Sequence, residues 1–233
     1  MSEKQIIEFG NHTFNMLLND LDIDEVKSNN LQLFINDMNI NTTFPIKVFV
    51  TNNKELNAFA LSGGKIVIYS SLLDEIENEH QLTALLGHEI SHIENRHVLK
   101  NLIRNLSGKV FTSIIFNDFN SVSTILTANA HLFSQLSYTR SLEKEADVYS
   151  MKIMQQNNLN LFGMPELFQI LNKKNEVEIP KYLNSHPLLK ERILYTKKIA
   201  EKQSSFKGNV ILKNRWNTLK QLNSKTNTKI KHE

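Results

Sequence analysis

The chain has no cysteine. Disulfides and thiolate ligands are thereby excluded, and any metal must rest on histidine, glutamate and aspartate. Proline and glycine are scarce, at four and seven residues, and no linker-like stretch or internal repeat divides the chain. No segment approaches the ~18 consecutive apolar residues of a membrane span. The nearest candidate, residues 119–139, lacks formal charge but carries Asn120, Ser121, Ser123, Thr124, Thr127, Asn129, Gln135 and Ser137, too polar for lipid. Peripheral contact with a membrane stays open. The N-terminus, Met1-Ser2-Glu3-Lys4-Gln5, has no basic segment followed by an apolar run, so no secretory signal is read there. The expected location is cytoplasmic, or periplasmic if a leader has been trimmed.

A strong charge excess is missing too, since the net charge is only +3. Residues 213–233 hold six Lys or Arg against one acid, which leaves 21 basic and 23 acidic residues elsewhere. The excess is a solvated C-terminal end rather than a nucleic-acid-binding face. The rest is an ordinary globular balance, 40% hydrophobic and 22% charged over 233 residues, enough for a real core. One domain is expected over 1–223, with a flexible basic tail over 224–233.

What is present is concentrated in Leu82-Thr83-Ala84-Leu85-Leu86-Gly87-His88-Glu89-Ile90-Ser91-His92-Ile93. Leu82, Leu85, Leu86, Ile90 and Ile93 recur at the helical period. His88 and His92 are four apart, so they project side by side and can hold one metal ion. Glu89 is turned about a hundred degrees away. It flanks the ion, where a carboxylate can take a proton from an activated water.

Around this stretch, apolar spacing predicts helices over 4–20 and 24–38. Pro45 opens a strand at Ile46–Val50, and Asn57–Leu61 and Lys65–Tyr69 follow on either side of a Gly63-Gly64 turn. These make a small antiparallel sheet, expected to have three strands. A short helix follows from Ser70 or Ser71 through Glu77. One long helix is expected from about Glu79 to Leu106. Residues 109–137 read either as a pair of packed helices or as a mobile or membrane-facing flap. Further helices are expected over Leu142–Gln156, from Pro165 to about Lys174, and from Leu188 to about Lys202. Pro180 begins an extended piece. Asn209–Lys213 reads as a strand and Arg215–Leu222 as a short helix. The fold class is α+β, mostly helical, with the small sheet beside the motif-bearing helix.

A catalytic zinc takes three protein ligands and keeps one position open. A third histidine six residues after His92 would serve locally, but Val98 stands there. On a continuous helix His97 points off the metal face. The acidic start of the next helix offers Glu143, Glu145 and Asp147, of which Glu143 and Asp147 share a face. Spacing does not choose between Glu143 and Glu145, and the helix dipole alone also favours acids there.

Four features together resemble the zinc metallopeptidase (gluzincin) family of the CAAX prenyl proteases. That family also includes a bacterial heat-shock membrane protease, a mitochondrial inner-membrane quality-control protease and periplasmic outer-membrane-assembly proteases. The features are Asn57-Ala58-Phe59-Ala60 leading to Gly63-Gly64; His88-Glu89-Ile90-Ser91-His92; Tyr138-Thr139-Arg140 leading to Glu143-Lys144-Glu145-Ala146-Asp147; and His186-Pro187 leading to Arg192-Ile193. The resemblance implies a compact zincin-like fold. It implies Zn²⁺ held by His88, His92 and Glu143, with Asp147 hydrogen-bonding a ligand histidine from behind. It also implies an edge strand that receives substrate, expected here along Gly64, Lys65, Ile66, Val67 and Ile68.

The function expected is a zinc-dependent endopeptidase with Glu89 as general base, acting on extended polypeptide in protein quality control. Arg140 and His186 are candidate donors to the transition-state oxyanion. Arg140 can instead pair with Glu143 or Asp147. His186 can instead bind zinc as a fourth, latency-imposing ligand, or cap the Pro187 helix. The competing function is a chaperone-like peptide-binding module with a residual zinc site.

Overall fold

A computed structural model describes residues 1–105, 137–175, 180–187 and 189–229. Apart from Ser137, the segment 109–137 lies outside these residues. Several helices begin where short polar side chains cap them. In α1 (Glu3–Leu17) the Ser2 hydroxyl accepts from the Gln5 N–H, while the Gln5 side chain accepts from the Ser2 N–H, a reciprocal cap that satisfies two orphan donors. Asp24 opens α2 (Glu25–Asp37) with a one-way cap, its side chain accepting from the Lys27 N–H. After α3 (Ser70–Glu75), Asn78 caps α4 (Glu79–Glu94).

Helix α4 is the centre of the molecule: every residue from Gln81 to Ile93 is buried. Its apolar residues fill the core and carry the polar trio of the motif inside with them. Helix α6 (Arg140–Gln156) lies along α4, and the two come closest at Gly87. A Cβ there would stand 2.7 Å from Ser150 Oγ, so only glycine permits this approach. The Ser150 hydroxyl then donates to the Ala84 carbonyl at 2.7 Å and fixes the pair in register.

The helix expected from 79 to 106 is two helices. It breaks at Asn95-Arg96, where Arg96 takes a left-handed conformation (φ 56°), and α5 (His97–Asn105) leaves in a new direction. The remaining helices are α7 (Gly163–Asn175), α8 (Lys181–Ser185), α9 (Leu189–Ala200) and α10 (Val210–Lys229). Two local expectations change. The segment after Pro180 is the short helix α8, not an extended piece. Asn209–Lys213 opens α10 instead of forming a strand, because the Asn209 side chain accepts from the Leu212 N–H at 3.1 Å, a helix-starting cap that overrides the β-branched run. The helix also takes in most of the stretch expected to fray, up to Lys229. Among the described residues no helix is long and apolar enough to cross a membrane.

The sheet has three strands, β1 (Lys47–Thr51), β2 (Ala58–Leu61) and β3 (Lys65–Tyr69), in the order β1-β3-β2. Strands β2 and β3 are antiparallel. They are joined through Gly63 and Gly64, both at positive φ, which a side chain would strain. Strand β1 runs parallel to β3, because the chain carries β2 past the central position and β3 then inserts between the two. This overturns one expectation. Residues Lys65–Ile68 lie in the middle strand with both edges paired, and the Gly64 carbonyl already accepts from Lys47 N–H at 2.8 Å. None of Gly64 to Ile68 can take an added strand.

Of the two outer strands, β1 has its far edge bonded to α2 side chains, Val48 N–H to Gln32 and Val50 N–H to Ser28, and β2 lies against α4. Its Asn57 carbonyl accepts from Tyr69 N–H, so Asn57, Phe59 and Leu61 turn their backbone groups toward β3. By alternation, Leu56, Ala58 and Ala60 turn theirs outward. The outward Leu56 carbonyl accepts from the Tyr182 N–H at 3.0 Å, which ties α8 to the strand's edge.

Candidate metal centre

The one-turn spacing on α4 brings His88 Nε2 and His92 Nε2 to 3.0 Å from each other. Helix α6 adds Glu143, whose oxygens lie 3.6 Å from His88 Nε2 and 3.5 Å from His92 Nε2. The residue after α8 adds His186, with Nδ1 3.2 Å from His88 Nε2 and 3.0 Å from Glu143 Oε1. All four side chains are buried, and one donor atom from each lies within 4.8 Å of the others. A tetrahedral zinc with bonds of ~2.0–2.1 Å sets its donors roughly 3.3–3.4 Å apart. The spacing and the donor types therefore fit such an ion.

Protonation agrees with that fit. Burial pushes all three imidazoles down, His92 and His186 well below the ordinary histidine range, so they are neutral and offer lone pairs. Burial raises Glu143, while Arg192 and His88 pull it back. The outer nitrogens fix the tautomers. His88 Nδ1 lies 2.8 Å from Asp147 Oδ1 and donates to it, which leaves Nε2 facing inward unprotonated. Burial would raise Asp147, but the Arg192 guanidinium and the His88 hydrogen bond outweigh it and hold the carboxyl at about 2.

Arg192, from α9, is the buried cation of the site. It donates to Asp147 through Nε at 2.9 Å and Nη2 at 2.7 Å, and its Nη1 lies 2.5 Å from Glu143 Oε2. Its guanidinium sits 4.2 Å over the Phe168 ring, a cation–π contact that fills the space behind it. The Tyr195 hydroxyl also donates to Asp147.

Glu89 lies on the other side of the histidines. Burial, reinforced by the Glu143 charge, pushes its carboxyl up to about 8. The Tyr182 hydroxyl, Arg192 and the outward N–H of Ala60 are near enough to favour its ionised form, yet neither oxygen makes a hydrogen bond of ordinary geometry. His186 Nε2 is 3.8 Å from Glu89 Oε1. Two tyrosines wall the site: Tyr138 stacks on His92 at 3.9 Å and Tyr182 on His186 at 4.3 Å.

The structure thus brings together His88, His92, Glu143, Asp147, Glu89 and His186. It does not bring Arg140, whose side chain is 73% exposed and pairs with Glu191 at 3.6 Å. It pairs with neither Glu143 nor Asp147, being drawn to Glu191 at the helix start. The arginine of the site is Arg192, which the sequence presented only as the close of a motif. Sequence reasoning also missed His97. The left-handed Arg96 swings it behind the site, with Nδ1 3.0 Å from His92 Nδ1 and Nε2 3.3 Å from Glu145 Oε2. No signal in helical spacing predicts that break. Tyr182 carried no signal beyond its nearness to His186.

The family model described as peptidase family M48 matches residues 25–200. The mitochondrial metalloendopeptidase OMA1 of Arabidopsis thaliana is 29% identical over 146 residues, covering 63% of this chain and 30% of that protein. The putative beta-barrel assembly-enhancing protease of Vibrio cholerae is 27% identical over 161 residues, covering 64% and 33%. Metalloprotease LoiP of Escherichia coli is 28% identical over 152 residues, covering 64% and 60%. The match thus spans about a third of the first two relatives' length.

Proposed function

The chain belongs to peptidase family M48, and from that premise we propose that it is a zinc-dependent endopeptidase acting on extended, unfolded polypeptide. The observation that carries this reading is the convergence of buried His88, His92, Glu143 and His186 donors beside the partnerless Glu89 carboxylate. Zinc held by His88, His92 and Glu143 supplies Lewis acidity toward a water and a carbonyl oxygen. Glu89 takes the proton from the attacking water and passes it to the leaving amine. Asp147, anchored by Arg192, holds His88 in its ligating tautomer. A binding-only module has no use for a buried carboxylate left without a partner, which costs free energy; this favours the enzyme over the chaperone-like alternative.

Substrate binds as an added strand on the outer edge of β2, through the outward backbone groups of Ala58 and Ala60. Ala60 N–H stands beside Glu89, so that edge leads into the site. Main-chain recognition of this kind is tolerant of sequence and suits quality control. The placement of His186 Nδ1 within the donor set supports the latent reading of that residue: four protein donors enclose an ion, whereas a catalytic zinc keeps one corner open.

The test is degradation of denatured casein by the zinc-loaded chain and by its His186→Ala variant. Cleavage is expected to stop on chelation, to return with zinc and to be absent in Glu89→Gln. No cleavage by either protein, or cleavage untouched by Glu89→Gln, overturns the reading.

A further inference from the structure

The transition state of peptide hydrolysis puts negative charge on the scissile carbonyl oxygen, and a preorganised donor aimed at that oxygen is worth a large factor in rate. The buried donors of the site are mostly spent. Arg192 is committed to Asp147 and Glu143. His186 faces the metal donors through Nδ1. His97 is taken up by His92 and Glu145. Arg140 is outside.

Among the described residues, the Tyr182 hydroxyl is a donor left over. The Tyr182 side chain is fully buried, and its hydroxyl, which lies near Glu89, makes no hydrogen bond of ordinary geometry. Across from it, both oxygens of Glu89 also lack one. A buried hydroxyl in that state is destabilising, a cost that phenylalanine would avoid while filling the same space. The residue is held firmly. Its N–H is bonded to the outward Leu56 carbonyl on the edge of β2, and its ring stacks on His186 with 24° between the planes. Its ring centroid is 6.5 Å from that of His88.

We propose that the Tyr182 hydroxyl is the donor that receives the scissile carbonyl oxygen as charge builds on it. The proposal rests on the endopeptidase reading and on substrate lying along Ala58 and Ala60. A peptide on that edge passes through the space shared by the two partnerless groups. Its carbonyl oxygen satisfies Tyr182, and the attacking water satisfies Glu89. Tyr182 keeps its proton throughout and forms no covalent bond.

The experiment compares zinc-loaded wild type with Tyr182→Phe. Turnover of a casein-derived peptide should fall about 100-fold or more, with KM changed less than about threefold and zinc content unchanged. A phosphinic peptide, tetrahedral and anionic at the scissile position, should lose affinity by a similar factor in calorimetry. The matching amide peptide, measured on Glu89→Gln with and without the Tyr182 change, should bind equally. Wild-type turnover in Tyr182→Phe, or equal losses for amide and phosphinic peptides, overturns the assignment. Should Tyr182→Phe not fold, 4-fluorophenylalanine at position 182 restores the volume without the donor and is put through the same comparison. A chain that neither cleaves peptide nor binds the phosphinic peptide, both as wild type and as His186→Ala, refutes the peptidase reading itself, not the role of Tyr182 within it.

Discussion

His97 Nδ1 lies 3.0 Å from Nδ1 of His92, and its far nitrogen lies 3.3 Å from Glu145 Oε2. With His92 offering Nε2 to the metal donors, its Nδ1–H donates to His97, and His97 Nε2–H donates to Glu145. This relay does for His92 what Asp147 does for His88. Losing such an outer partner typically costs about 10–100-fold in metal affinity. His97→Ala is therefore expected to weaken zinc binding by that factor in competition with a chromophoric chelator. Glu145→Gln should cost less, because that side chain is half exposed. Unchanged affinity in His97→Ala would remove the relay from the metal site.

Arg192 is the only cation bonded to Asp147 and Glu143 among the described residues, and it is fully buried. Removing it leaves two carboxylates without compensation in the interior. Breaking a buried pair from one side costs about 3–5 kcal/mol. Arg192→Met should lower the urea midpoint accordingly, even though the methionine can cover Phe168. A midpoint equal to wild type would mean that the guanidinium is dispensable.

His186 is expected to restrain the enzyme. If it holds the fourth corner, His186→Ala raises casein cleavage several-fold at saturating zinc while weakening zinc affinity. Loss of cleavage with zinc still bound would make His186 a participant in the reaction instead.

Stability of the metal-free chain should depend on pH through Glu89. Burial and the Glu143 charge raise its carboxyl from 4.5 to about 8. A group raised on folding contributes stability that is complete below its unfolded value and is lost as pH rises through the folded one. Between about pH 5 and pH 8.5, the Tm of the chelated wild type should fall by several degrees relative to Glu89→Gln. A constant difference across that range would show that Glu89 is already ionised in the folded chain.

Much of this was legible in the residues themselves. The period of Leu82, Leu85, Leu86, Ile90 and Ile93 marked a buried helix, and the four-residue step from His88 to His92 set two donors on one face. Capping residues and the Gly63-Gly64 pair marked where elements begin and turn. Strand order was not legible, because β1, β2 and β3 carry the same kind of apolar run. Which of them lies in the middle is decided by how the chain crosses over, and with β3 in the middle the substrate edge we propose is that of β2.

The sequence by itself bounded the ligand chemistry: without cysteine, imidazoles and carboxylates were the available metal donors, and helical geometry paired His88 with His92. Only the tertiary structure decided which arginine enters the site, where His97 points and how close His186 comes. Each of these depends on contacts between segments distant in sequence, or on a single left-handed residue at Arg96, and local periodicity carries information about neither.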